Sequence, residues 1–330
     1  MSTTNTIPDI PVSWRLDEID VNASLTCPEG DGLFPAVIMV AGSGPTDRNW
    51  NSPLIPGTNG SAALLARSLT GSGFVTLRYD KRASGPHVQE NVKRLVGKIS
   101  MQAHMDELAG GVQLLAERKD VNKNRIFALG NSEGCLHVLN YQLSKTDLPF
   151  AGIILTAPPA RPVGVVARGQ VAAQLNGVPG GDKWLAAYDA AMSDFAAGRA
   201  VSVDESLPEG VRVLILGATN PVNQPFAREL WAADGAKLLA KINVPVLVVI
   251  GKKDLQVDWQ VDGTILEALA KTHGNITIAF PENANHVLKY EPRNGSQLIA
   301  AEVAQTYNAD DGTLDADTLE LITSWLAAYS

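Results

Sequence analysis

The chain has 330 residues, 45% hydrophobic and 19% charged, with a mean hydropathy of +0.01 and a net charge of −8. That composition fits one large folded domain or two smaller ones and excludes a disordered chain. The acidic balance, with no Lys/Arg run longer than a pair such as Lys81-Arg82, argues against nucleic acid and anionic membrane surfaces as partners.

Two cysteines, Cys27 and Cys135, are too few for a disulfide framework or a four-cysteine zinc site, which suggests reduced thiols in a reducing compartment. Met1 to Pro11 carries no cationic segment followed by an apolar run, and no stretch of 18 apolar residues occurs. Neither a secretory leader nor a membrane span is expected, and the expected location is cytoplasmic.

In chain order, an antiparallel pair from Val12 to Leu25 opens the chain as a sheet edge. Short apolar runs follow: Val37 to Val40, Phe74 to Tyr79, Ile126 to Leu129, Ile153 to Leu155, Val246 to Ile250 and Ile276 to Phe280. Each is nearly continuous in apolar residues rather than alternating, the pattern of parallel strands buried on both faces. Helical spacing lies between them over Ser61 to Thr70, Met101 to Glu117, Glu133 to Leu143 and Thr264 to Lys271. The alternation predicts an α/β fold with a mostly parallel, doubly wound sheet.

Residues 160–240 break this rhythm. They are Ala-rich, with helical spacing over Val165 to Leu175 and Asp182 to Ala197 and turn signals at Gly180-Gly181 and Pro208-Glu209-Gly210. One run, Val211 to Leu216, reads as an isolated strand. The expected organisation is a core of 1–159 and 241–330 with an inserted helical cap at 160–240.

Gly130-Asn131-Ser132-Glu133-Gly134 fits G-x-S-x-G directly between a strand run and a helical run. A sharp strand-to-helix turn leaves Ser132 in a strained conformation with its hydroxyl projecting, and side chains at 130 or 134 would collide with neighbouring elements. The bare pattern is also met by an ordinary Gly-rich turn, so partners are needed. A serine nucleophile requires a base, and the base an orienting carboxylate. Such groups collect after the carboxyl ends of strands. Asp254 follows the run ending at Ile250, and His286 follows the run ending at Phe280, giving the order Ser, Asp, His. Asp254 could instead be a turn or cap aspartate, with Asp258 and Asp262 as competitors. Of the five histidines, His104 and His137 fall in helical stretches, His273 precedes a strand and His87 leads into a charged segment.

The first buried strand runs into Val40-Ala41-Gly42-Ser43-Gly44-Pro45-Thr46-Asp47-Arg48, a small-residue loop that lets backbone N–H groups approach a bound carbonyl. The backbone N–H groups of Ser43 and Glu133 are the expected oxyanion donors, an effect typically worth about 3 kcal/mol per donor. A dinucleotide site is a poor rival, because Asp47 stands where a third glycine belongs and Pro45 disrupts the turn. Asp47-Arg48 and Tyr79-Asp80-Lys81-Arg82 are dense in charge and read as a structural ion-pair network. An acid beside the nucleophile would oppose the oxyanion, so Glu133 is expected to pair with Arg48 or Arg82. The alternative is that it binds a substrate ammonium, as an aminopeptidase requires.

Together, the 41–48 loop, Tyr79-Asp80-Lys81-Arg82, the Gly-x-Ser-Glu-Gly elbow, Asp254-Leu255-Gln256-Val257 and Asn285-His286-Val287-Leu288-Lys289 resemble bacterial α/β-hydrolases of the carboxylesterase and serine-aminopeptidase-like group. The motifs fall in family order. The resemblance implies the α/β-hydrolase fold, Ser132 as nucleophile, His286 as base, Asp254 as its orienter and a cap over the site. Two positions depart from the pattern: Asn131, where many relatives carry His, and Ala83, where Gly usually follows Asp-Lys-Arg.

The expected activity is hydrolysis of small to medium carboxylic esters through an acyl-serine, with no metal or organic cofactor and a small-molecule ester as the only partner. An amide, lactone or thioester hydrolase, or an acyltransferase, would share the same triad. A non-catalytic ligand-binding protein on this fold is the rival of a different class. Nothing in the sequence sets an oligomeric state. Leu175, Trp184, Leu185, Phe195, Phe226 and Trp231 are candidates to line a pocket in the cap, with packing against the core as the equal reading for each.

Overall fold

The apolar runs become strands, all with both faces covered except the last, Ile276 to Phe280, which forms a half-covered edge. In the computed structural model, which describes residues 7–144 and 146–330, eight strands form one sheet. They are β1 (Ile10–Leu16), β2 (Ile19–Thr26), β3 (Phe34–Val40), β4 (Val75–Tyr79), β5 (Val121–Asn131), β6 (Gly152–Thr156), β7 (Val246–Val249) and β8 (Ile276–Ala279). Their order is β1-β2-β4-β3-β5-β6-β7-β8, antiparallel at β1/β2 and β2/β4 and parallel elsewhere. Most of the leader-free reading of Met1 to Pro11 lies outside the described residues. Among those described, no helix is long and apolar enough to cross a membrane.

Successive residues of each central strand enter different cores. Ala36, Ile38 and Val40 of β3, with Ile126 and Ala128 of β5, join one cluster. Val37 and Met39, with Phe127 and Leu129, join another on the opposite face. Side chains alternate across a strand, so a strand covered on both faces needs apolar residues at every position. The first face is covered by α3 (Met101–Ala116), α4 (Glu133–Leu143) and α10 (Val261–Ala270), the second by α1 (Ser61–Gly71) and the C-terminal α12 (Ala316–Tyr329). Two short helices, α2 (Val88–Leu95) and α11 (Ala300–Gln305), sit in connections.

Between β6 and β7 the chain forms α5 (Val163–Leu175), α6 (Gly181–Ala196), α7 (Glu209–Thr219), α8 (Phe226–Ala232) and α9 (Gly235–Leu239). The expected strand at Val211 to Leu216 is overturned, since these residues lie within α7. Val211 and Ile215 are buried while Val213 is 58% exposed, a period of four rather than two. Pro208 at the N-cap and Glu209 in the first turn start the helix, and the β-branched side chains do not prevent it. α5 to α7 build a cluster of their own around Val171, Leu175, Tyr188, Phe195, Leu207, Val211 and Ile215. Leu175 and Phe195 are inside it, and Trp184, Leu185 and Trp231 pack against it, so these five pack within the helical segment itself rather than against the sheet core.

Candidate active site

Parallel strands bring their following loops to one end of the sheet. β5 delivers Ser132 there. Its φ is 52° and its ψ −120°, a strained conformation for a residue with a side chain. Gly134 allows the turn, because a Cβ on it would lie 2.4 Å from the Val40 carbonyl oxygen, and one on Gly130 would lie 2.7 Å from the Cys135 nitrogen. The Ser132 N–H donates to the Thr156 carbonyl at 2.9 Å, fixing the elbow to the end of β6. The Ser132 side chain is half-buried, and among the described residues its hydroxyl makes no hydrogen bond.

The loop after β7 supplies Asp254 and the loop after β8 supplies His286. His286 Nδ1 lies 3.0 and 2.9 Å from the two Asp254 carboxylate oxygens, with both residues buried. A carboxylate only accepts, so Nδ1 is the donor in this pair. Asp254 Oδ1 also accepts from the backbone N–H groups of Gln256 at 2.8 Å and Val257 at 3.0 Å, which fixes the carboxylate. The competitors are occupied elsewhere. Asp258 accepts from the Gln260 and Val261 N–H groups at the start of α10, and Asp262 binds Arg161 at 2.7 Å.

Asn131 links the two halves. Its side-chain amide donates to the His286 carbonyl at 3.1 Å and to the Thr156 hydroxyl at 3.2 Å. The residue before Ser132 is therefore bonded directly to the backbone of His286, across 155 positions of sequence. Tyr307, which sequence patterning did not single out, places its ring centroid 6.3 Å from that of His286. Burial, and then the nearby Asp254, push its hydroxyl's pKa up, so it stays protonated.

The loop after β3 lies against the elbow. A Cβ on Gly42 would sit 3.2 Å from both the Ser132 Cβ and the Asn131 carbonyl oxygen. Neither the Ser43 N–H nor the Glu133 N–H has an acceptor among the described residues. The Glu133 N–H opens α4, where the helix leaves its first donors free and presents its positive end.

Beneath these groups runs a buried charge network, as the density of charge suggested, but with other partners. Glu133 pairs with Lys81 at 2.7 Å, not with Arg48 or Arg82. Arg48 pairs with Asp80, while Arg82 pairs with Glu107 at 2.9 Å. Past β4 the chain enters a turn, closed by the Ser84 N–H donating to the Lys81 carbonyl at 2.9 Å. Lys81 reaches the elbow through Glu133, while Asp80 is taken by Arg48 and Arg82 by Glu107. His137 Nε2 donates to Glu133 at 3.0 Å, and His104 Nδ1 lies 2.9 Å from Glu107. The two imidazole centroids are 4.8 Å apart, and the Phe226 ring reaches both, at 4.6 Å from His104 and 5.9 Å from His137.

Burial opposes the Glu133 charge, but Lys81 and the hydrogen bond from His137 outweigh it and hold the carboxyl well below the usual carboxylate range. Burial also pushes His137 down to about 4, so its ring is neutral near pH 7 and donates through Nε2. The signals for this network were the Glu133/His137 spacing of four and the His104/Glu107 spacing of three, which place each pair on one helix face.

The chain can be compared with known proteins. Esterase EstD of Thermotoga maritima is 27% identical over 297 residues, a match covering 86% of this chain and 62% of that protein. The chain thus spans less than two thirds of that relative. A solved esterase of Pyrococcus furiosus superposes with a TM-score of 0.55 at 16% identity, covering 98% of this chain and 92% of the other. Proline iminopeptidase of Mycobacterium smegmatis gives 0.56 at 16% identity, covering 97% and 98%. At such identities the solved structures share the fold alone. The sequence profile of the Alpha/beta hydrolase family matches residues 37–292, from β3 through the loop that holds His286. With the sheet order, the elbow and this match in hand, the chain belongs to the alpha/beta hydrolase family.

Proposed function

We propose that the protein is a serine hydrolase that cleaves small to medium carboxylic esters through an acyl intermediate on Ser132. The observation that carries the proposal is the hydrogen bond from Asn131 to the His286 carbonyl, which ties the Asp254–His286 pair to the elbow beside a strained serine. His286 Nε2 takes the Ser132 proton as the oxygen attacks the ester carbonyl. Asp254 holds the imidazole orientation and stabilises the imidazolium. The N–H groups of Ser43 and Glu133 receive the oxyanion. The alcohol leaves with the proton from His286, and water, activated by the same ring, then releases the acid. The unbonded Ser132 hydroxyl is compatible with this, because catalytic hydrogen bonds often tighten only with substrate in place.

The commitment of Glu133 to Lys81 and His137, at 4% exposure, favours an ester over an aminopeptidase substrate. A carboxylate already neutralised and buried offers nothing to a substrate ammonium. The esterase name of the Thermotoga maritima relative supports the same reading. The helices at 160–240 are read as a cap over the site. A cytoplasmic location belongs to the same proposal and rests on the unpaired Cys27 and Cys135.

A panel of p-nitrophenyl esters, thioesters, lactones and aminoacyl nitroanilides tests the assignment. Short-chain esters should turn over fastest, and His286→Ala should remove that turnover. Nitroanilide turnover exceeding ester turnover would replace the reading with an amide hydrolase.

A further inference from the structure

Lys81 does more than balance a buried acid. Its Nζ donates to Glu133 Oε1 at 2.7 Å and also to the Gly42 carbonyl at 2.8 Å, and the side chain is 4% exposed. The second bond is not needed to neutralise Glu133, since the first already does so and neutral His137 adds a hydrogen bond. The Gly42 carbonyl belongs to the peptide whose N–H is that of Ser43. In a planar trans peptide the C=O and the N–H point in opposite directions, so a cation seated on the oxygen fixes where the N–H aims and polarises it. Among the described residues the only other donor to this carbonyl is the Thr46 hydroxyl, at 3.4 Å. Glu133 in turn carries the second free N–H at the start of α4. One ammonium therefore binds the loop after β3, at the carbonyl of the Gly42–Ser43 peptide, and the helix after β5, at the Glu133 side chain.

We infer that Lys81 is a positioning residue of the oxyanion site: its ammonium orients the Gly42–Ser43 peptide and couples it to Glu133, so that both N–H donors converge on one point. The inference rests on the ester-hydrolase reading and deepens it. Lys81 touches neither substrate nor Ser132, so its effect appears in how strongly the acyl carbonyl is polarised.

The test uses a cinnamoyl ester, whose acyl-enzyme turns over slowly enough for infrared difference spectroscopy. Lys81→Met alone would strand a buried carboxylate, so the comparison is made within Glu133→Gln, with and without Lys81→Met. The double variant should show the acyl carbonyl stretch at higher wavenumber and slower deacylation than Glu133→Gln, by about 10²-fold, the usual effect of losing one oxyanion donor. KM should change little. If both variants melt cooperatively and share one stretching frequency and one deacylation rate, Lys81 serves only the fold and the inference is overturned. Lys81→Arg gives a second comparison that keeps the cation beside Glu133: a positioning role predicts a raised stretch, a charge-balancing role the wild-type one. Failure of the wild-type protein to form any acyl-enzyme would instead overturn the hydrolase reading itself, and the inference with it.

Discussion

Along β5, neighbours part company: Phe127 and Leu129 enter the core under α1 and α12, while Ile126 and Ala128 enter the core under α3 and α4. Along α5 to α7, most buried apolar residues enter one private cluster, and Val213, Leu214 and Leu216 are left 58%, 37% and 51% exposed. A strand gripped from both faces has its end fixed in space, and that is where Ser132, Asp254 and His286 hang. α5 to α7 are held mainly by each other, so they can change shape or sequence without moving the strand ends, whereas α8 and α9 pack on the sheet side through Phe226 and Leu239. Precision belongs to the sheet and adaptability to the helices.

The largest expected effect is on the sheet side. Ser132→Ala should lower kcat for p-nitrophenyl butyrate by about 10⁴-fold or more without changing the melting temperature. Retained turnover would exclude this nucleophile. On the helical side, Phe195→Ala removes a ring that is 1% exposed and should cost about 4 kcal/mol, felt within that segment. Calorimetry should show an early transition for the helices and an almost unshifted one for the sheet, with KM changing more than kcat. A single shifted transition would break the contrast drawn above. Gly134→Ala, with its Cβ 2.4 Å from a β3 carbonyl, should cost about 3 kcal/mol in urea unfolding of the whole molecule and disable the elbow as well.

The pH dependence of stability sharpens the comparison further. Folded His137 stays neutral down to about 4, whereas the unfolded chain takes up its proton near 6.5. The unfolded state then binds more protons across that window, so stability falls as pH drops from 6.5 to 4, by roughly 3 kcal/mol in all. Glu133, held low in the fold, loses its contribution in the same direction but only below the ordinary carboxylate range. His137→Gln should flatten the upper part of the profile, as read by melting at stepped pH, and an unchanged slope would mean that the ring is not kept neutral. The smallest effect belongs to the helical surface. Arg168→Ala breaks a pair with Asp189 whose side chains are 50% and 39% exposed, and should leave the midpoint of the same urea unfolding almost unmoved.

Much of the sheet was legible in sequence because strands buried on both faces leave uninterrupted apolar runs. The elbow was legible because close backbone approach admits only glycine at 130 and 134. The Asp254–His286 pair could be expected from chain order and from where loops gather. Val211 to Leu216 misled because β-branched residues at alternating positions imitate a strand, while burial at 211 and 215 obeys the helical period. The partner of Glu133 was expected to be Arg48 or Arg82 and is Lys81, because the choice depends on which way each side chain is aimed as the chain turns after β4. Composition carries no such direction. Asn131 stood out only as a departure from a family pattern; its bond to the His286 carbonyl belongs to the fold, not to local sequence.

The central claim is that Ser132 becomes acylated during turnover. Rapid quenching of the reaction with a cinnamoyl ester, followed by mass spectrometry of the proteolytic peptides, tests it most directly. The account predicts one cinnamoyl adduct, on the peptide containing Ser132, formed in a burst and absent from His286→Ala. Steady turnover with no adduct, or an adduct on another residue, would contradict it.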